Sequence, residues 1–131
     1  MLPAAFFANA SAFLSRLGQS HRQIELEQMT LAEQAQLFAS PAARLVIGVH
    51  GAGLSNLIFS PIGHAVLEVY SAAFPCYRTL AVRRGLLYRD FAYGFRFVGP
   101  MYYDERVAQR TLDLMREQGG WPALIQSSPP K

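Results

Sequence analysis

Two five-residue runs constrain this chain's fold more than any other feature. Leu45–Val49 reads LVIGV and Ala65–Val69 reads AVLEV. Neither alternates between apolar and polar residues, so neither offers a wet face. Strands of a parallel sheet read this way when helices cover both faces. Parallel neighbours need a crossover that carries the chain back, usually through a helix, and residues 50–64 supply that length. Such crossovers are right-handed. Residues 54–59 read as a short helix inside it, closed by Pro61 and Gly63.

The flanking segments continue the alternation. Phe6, Phe7, Ala10, Phe13, Leu14 and Leu17 keep the spacing of one apolar helix face, with Gly18 as the stop. Gln23-Ile24-Glu25-Leu26 alternates like a strand with one wet face. Thr30 and Glu33 form a capping box, in which hydroxyl and carboxylate satisfy free amides reciprocally. The helix they open runs to about Ala39, with Pro41 just beyond.

Residues 73–84 read as a helix with Pro75 in its first turn. Residues 86–93 and 95–98 read as extended. Asp104 caps a last helix that ends at Gly119-Gly120, with Trp121 packing back. The expected fold class is α/β, a small and mostly parallel sheet of about four strands flanked by helices. That is Rossmann-like, and the size of one half of a two-domain enzyme. Residues 1–126 form a single domain, and 127–131 (SSPPK) a disordered tail.

Composition removes several functions. With 51% hydrophobic and 16% charged residues in 131, the chain can fill a core. A single cysteine, Cys76, excludes a disulfide framework and a Cys-rich zinc site, fits a reducing, cytoplasmic setting, and reads as a buried structural thiol. No apolar run approaches the roughly 18 residues of a membrane span. The apolar stretch 1–14 has no basic residue before Arg16, so it reads as a helix and not a signal peptide.

The net charge is +3, and eleven of the twelve basic residues are arginine. Guanidinium suits phosphate, but the arginines are scattered, as on a solvated surface. Tyr88, Arg89, Phe91, Tyr93, Phe95, Arg96 and Phe97 interleave aromatics with arginine. Two strands with one core face give the same pattern, and no nucleic-acid partner is expected. His21 and His64 lack partners at metal-ligand spacing, so no metal is expected. Ser55 is not in a G-x-S-x-G elbow, which leaves hydrolase chemistry unsupported.

The chemistry concentrates in residues 46–69. A buried strand ends at His50, the turn Gly51-Ala52-Gly53 follows, and a helix begins. In open α/β sheets, ligands bind beyond the carboxyl ends of strands. Glycines allow positive φ and close approach of a ligand to the backbone. A helix start presents unpaired N–H groups and a positive dipole end, which suits an anion. Ser55 and Asn56 add hydroxyl and amide donors, and His50 an imidazole N–H. A structural tight turn with a core-facing histidine gives the same string, and both readings stay open.

Glu68 lies near the carboxyl end of an otherwise apolar strand. It must find hydrogen bonds or stay at the wet strand end. Ribose or sugar hydroxyls suit it, and so does pairing with one of the arginines.

The residues from Gln34 to Tyr70, and above all Gly48-Val49-His50-Gly51-Ala52-Gly53-Leu54 with the downstream Val66-Leu67-Glu68-Val69, resemble the C-terminal part of glycosyltransferase family 61. Bacterial members are often labelled capsular polysaccharide biosynthesis proteins. The lead-in Ile24-Glu25-Leu26, Thr30-Leu31 and Glu33-Gln34 also matches. The resemblance covers residues 12–88. It implies half of a GT-B fold, inverting and metal-independent, with a nucleotide-sugar donor and no other cofactor.

By resemblance, His50, Gly51, Ala52, Gly53, Ser55 and Asn56 contact the donor diphosphate, and Glu68 lies near its ribose or sugar. His50 is the one candidate for a catalytic group. The family's arginine-rich strand leads into an Asn-Glu pair, whereas Asn9 here is followed by Ala10. The acceptor-binding half and its base are therefore expected to be missing, and the glycan acceptor to be held by that half. Two other readings compete. One is a non-catalytic domain that homodimerises through the face left bare. The other is a dinucleotide-binding oxidoreductase fragment, for which Gly51-x-Gly53-x-x-Asn56 lacks the third glycine.

Overall fold

The computed structural model describes residues 4–49, 51–69, 75–91 and 105–119. They form three layers: helices, a three-stranded parallel sheet, and helices again. The elements are α1 (Ala4–Arg16), α2 (Leu31–Ala39), β1 (Leu45–Val49), a 3-10 helix (Ala52–Phe59), β2 (Ala65–Val69), α3 (Cys76–Arg83), β3 (Leu87–Phe91) and α4 (Glu105–Glu117). The fold is α/β, a Rossmann-like half, as the two apolar runs require.

The sheet order is β1-β2-β3, with β2 paired on both sides. Its side chains divide by parity, as the pleat demands. Ala65, Leu67 and Val69 face α1 and α4, where Phe6, Ala10, Val107 and Leu114 are buried against them. Val66 faces the other way, toward Phe38 of α2, Leu54 and Leu57 of the 3-10 helix, and Ala81 of α3.

The capping box forms as expected, with Thr30 N–H donating to Glu33 Oε1 at 2.8 Å and Glu33 N–H to Thr30 Oγ1 at 3.1 Å. Gly18 stops α1 in the left-handed region at φ 72°. No described helix is long and apolar enough to cross a membrane.

Four expectations change. Residues 23–26 are not a strand; Leu26–Gln28 form a 3-10 turn. Four alternating residues are a weak signal, and Leu26 packs its side chain into the α2 and α3 side of the core. β1, read as covered like an inner strand, is half-buried along its whole length and has one strand neighbour among the described residues. An apolar pattern reports covered faces, not position in the sheet.

Pro75 does not enter α3's first turn but immediately precedes it. Cys76 is exposed rather than buried, because it opens α3 at that helix's free end. The expectations for His50, residues 73–74, the strand 95–98, the Asp104 cap, Trp121 and the tail 127–131 lie outside the described residues.

Candidate functional site

β1 and β2 run parallel, so the 3-10 helix starts at the carboxyl edge of the sheet, where open α/β sheets bind ligands. Gly51 is extended, at φ 167° and ψ 172°. Its carbonyl accepts from Leu54 N–H at 3.0 Å, which is the first bond of the helix. The Ala52 and Gly53 amides precede that bond and have no acceptor within the helix. Ala52 and Ser55 are exposed, and Gly51 and Gly53 are half-buried. The turn thus offers backbone donors on accessible surface.

The helix begins at Ala52, two residues earlier than the sequence indicates, and has 3-10 geometry over eight residues. The glycines also act differently from expectation. Neither Gly51 nor Gly53 adopts the left-handed region; among the described residues that falls to Gly18, Gly63, Gly85 and Gly119. Gly53 is closely approached instead: a Cβ there would sit 2.7 Å from Leu26 Cδ1, so the end of that side chain would have to shift. Gly48 is alike, since a Cβ would stand 3.0 Å from Leu54 Cδ2. Leu54 and Leu26 pack into the space that these positions leave open.

Asn56 is held from within. Its Nδ2 donates to Gln34 Oε1 at 2.9 Å and to Gly53 C=O at 3.1 Å. Gln34 in turn donates to the Leu26 and Met29 carbonyls, at 2.8 and 3.2 Å. Both Asn56 amide hydrogens are therefore engaged in fixing the turn against α2.

Glu68 is fully buried, at 0% exposure. Register places it between Gly48 and Asp90 in one row across the sheet. The carboxylate does not stay at a wet strand end. It accepts from the Tyr88 hydroxyl at 2.5 Å. Tyr88's pKa is pushed far above its ordinary value, first by burial, then by the hydrogen bond to Glu68 and the charges of Glu68 and Asp90, with Arg78 opposing. Arg78 stands over the Tyr88 ring, 5.9 Å from its centroid, and reaches Asp90 Oδ2 at 3.4 Å.

The structure therefore brings together the turn residues at the end of β1 and, at the end of β2, a group the sequence pointed to only through Glu68. Tyr88, Asp90, Arg78 and Gln34 were not singled out as site residues. Tyr88 and Asp90 sit two apart on one strand, polar on a face that should be apolar, and that was the available signal. Among the described residues no group of three or more His, Cys, Asp or Glu could hold a metal ion.

The architecture is that of a Rossmann-like half, with the Ala52–Gly53 turn at the carboxyl edge of its sheet. The sequence profile of the family Glycosyltransferase 61 matches residues 5–67, a stretch that contains the whole turn and all but the last residues of β2. Through this stretch the chain is related to glycosyltransferase family 61.

Two relatives are similar. The EGF domain-specific O-linked N-acetylglucosamine transferase of Drosophila melanogaster is 42% identical over 57 residues, 43% of this chain and 11% of the relative. That of Xenopus laevis is 36% identical over 70 residues, 53% of this chain and 12% of the relative. The chain thus matches about an eighth or less of either relative's length. No solved structure matches it.

Proposed function

We propose that this chain is the nucleotide-sugar-binding part of a glycosyltransferase of the GT-B type. The accessible turn at the carboxyl end of β1, inside the family-matching stretch, carries the reading. The Ala52 and Gly53 amides, the start of the 3-10 helix and His50 hold the donor diphosphate; Ser55 adds an exposed hydroxyl. Gly51 and Gly53 shape the turn, Asn56 braces it, and Glu68 lies behind the ribose or sugar. No metal takes part.

In the intact enzyme an acceptor hydroxyl attacks the anomeric carbon with inversion, and the bond to the diphosphate breaks. The turn stabilises charge as it builds on the departing diphosphate. A base on the acceptor-binding half, or less favourably His50, takes the hydroxyl proton. The acceptor is a glycan or, as the names of the two relatives support, a hydroxyl on a protein. The single cysteine supports a cytoplasmic setting.

Isothermal titration of the folded chain with nucleoside diphosphates tests this. The expected result is saturable binding tighter than about 1 mM. Absence of heat at that concentration overturns it. Protection from melting by a nicotinamide dinucleotide, and not by nucleoside diphosphates, would favour the oxidoreductase fragment instead.

One observation favours a second reading, a homodimerising interaction domain. β1 is apolar and half-buried, with one described strand neighbour, so its far edge suits pairing with another copy. Light scattering that shows a dimer with no nucleotide affinity would support it.

A further inference from the structure

We propose that Glu68 acts through Tyr88: the buried carboxylate fixes the phenol, and the phenol oxygen, beside Asp90, receives a hydroxyl of the ribose or sugar of the donor. This assignment rests on the donor-binding reading above and gives that site a division of labour. Glu68 is a positioning residue, and Tyr88 is the group that meets the ligand.

Burial excludes direct contact by Glu68, which exposes no surface. Tyr88, one strand over and in register with Val66, is half-buried, and its hydroxyl reaches toward the carboxyl end as far as Glu68. Its hydroxyl proton is committed to Glu68 Oε1. A phenol that has given its proton keeps only acceptor capacity. The raised pKa keeps that proton on Tyr88, so the direction of the bond is set.

Asp90 lies in register with Glu68 on the same face of the sheet, and it too accepts. The phenol oxygen and the Asp90 carboxylate are acceptors that suit hydroxyl donors, and Arg78 offsets the Asp90 charge. The amides of the 51–53 turn are donors and suit phosphate. β1 and β3 are two strand spacings apart, about 10 Å, a span that a nucleoside diphosphate bridges. Its phosphates then lie over β1 and its polyol over β2 and β3. Arg78, against the Tyr88 ring and Asp90, holds the phenol from its outer side.

The test compares two probes, a nucleoside diphosphate and inorganic pyrophosphate, by titration calorimetry on wild type, Tyr88→Phe, Glu68→Met, Glu68→Gln and the Tyr88→Phe/Glu68→Met pair. Uridine, guanosine and cytidine diphosphates are compared first, and the tightest is used. Tyr88→Phe should weaken the nucleoside diphosphate about ten-fold, the weight of one hydrogen bond, and leave pyrophosphate unchanged. Glu68→Met should produce the same loss. Glu68→Gln, which keeps an acceptor for the phenol, should retain affinity. The pair should be no weaker than either single change.

Equal losses for both probes, or a further loss in the pair, overturn the assignment; so does unchanged affinity in Tyr88→Phe. If Glu68→Met fails to fold, the Tyr88→Phe comparison of the two probes decides alone. A wild-type chain that binds pyrophosphate but no nucleoside diphosphate more tightly overturns the polyol contact while leaving the anion site standing. A wild-type chain that binds neither overturns the donor site as a whole.

Discussion

Asn56 and Gln34, 22 residues apart, meet through a 2.9 Å hydrogen bond that ties the turn after β1 to α2. The bond has a fixed direction. Gln34 gives its own amide hydrogens to the Leu26 and Met29 carbonyls, so it presents Oε1 to Asn56 and cannot turn round without losing both. The position of the 3-10 helix is therefore set by α2 and the Leu26 turn as well as by β1.

Replacing Asn56 by Asp should place a carboxylate oxygen against Gln34 Oε1 and the Gly53 carbonyl. Acceptor would face acceptor in a half-buried site. The expected loss is about 1–3 kcal/mol, read from the urea midpoint with the slope unchanged. Asn56→Asp as stable as wild type would show that the bond contributes little.

Gly53→Ala should be destabilising although its backbone conformation suits alanine. The added Cβ would meet Leu26 Cδ1, and overpacking of this kind costs about 1–3 kcal/mol. Leu26→Ala in the same chain should recover part of that loss, although alone it removes packing. A double-mutant cycle by denaturant unfolding measures the coupling. Additive losses would mean that the clash relaxes elsewhere.

Tyr88 gives the stability a pH dependence at the alkaline end. Its folded pKa is raised, so its contribution is complete below the unfolded value of about 10 and is lost as pH climbs above it. The unfolded chain gives up that proton while the folded chain keeps it, so stability falls as pH rises. Ultraviolet phenolate absorbance should show one of the six tyrosines ionising only when the chain unfolds. Tyr88→Phe should abolish that delayed component.

Leu67 and Leu31 should respond oppositely to truncation. Leu67 is fully buried at the centre of β2, and Leu67→Ala should cost about 2–5 kcal/mol. Leu31 is 81% exposed at the start of α2, and Leu31→Ala should stay within about 0.5 kcal/mol of wild type. Thermal unfolding of both variants checks the contrast, and a large loss at Leu31 would point to a covered surface.

Much of the fold was legible along the chain. The bounds of β1 and β2, the capping box of α2 and the stop at Gly18 each depend on a few neighbouring residues and on which faces are dry. Periodicity and capping are local, so sequence alone determined them, together with the α/β class and the location of an accessible turn beyond β1. Where a local pattern was short, as at residues 23–26, it misled, because Leu26 found its apolar partner in a helix layer and not in a sheet.

Only the tertiary structure decided what the site residues touch. Glu68 meets Tyr88 across 20 positions, Asn56 meets Gln34 across 22, and the space over Gly53 belongs to Leu26. Spacing gave no warning of these pairs. They depend on strand register, on the crossover that lays α2 beside the 3-10 helix, and on the close packing that leaves each polar group few partners within reach. Those are properties of the assembled layers, and no single stretch of chain contains them.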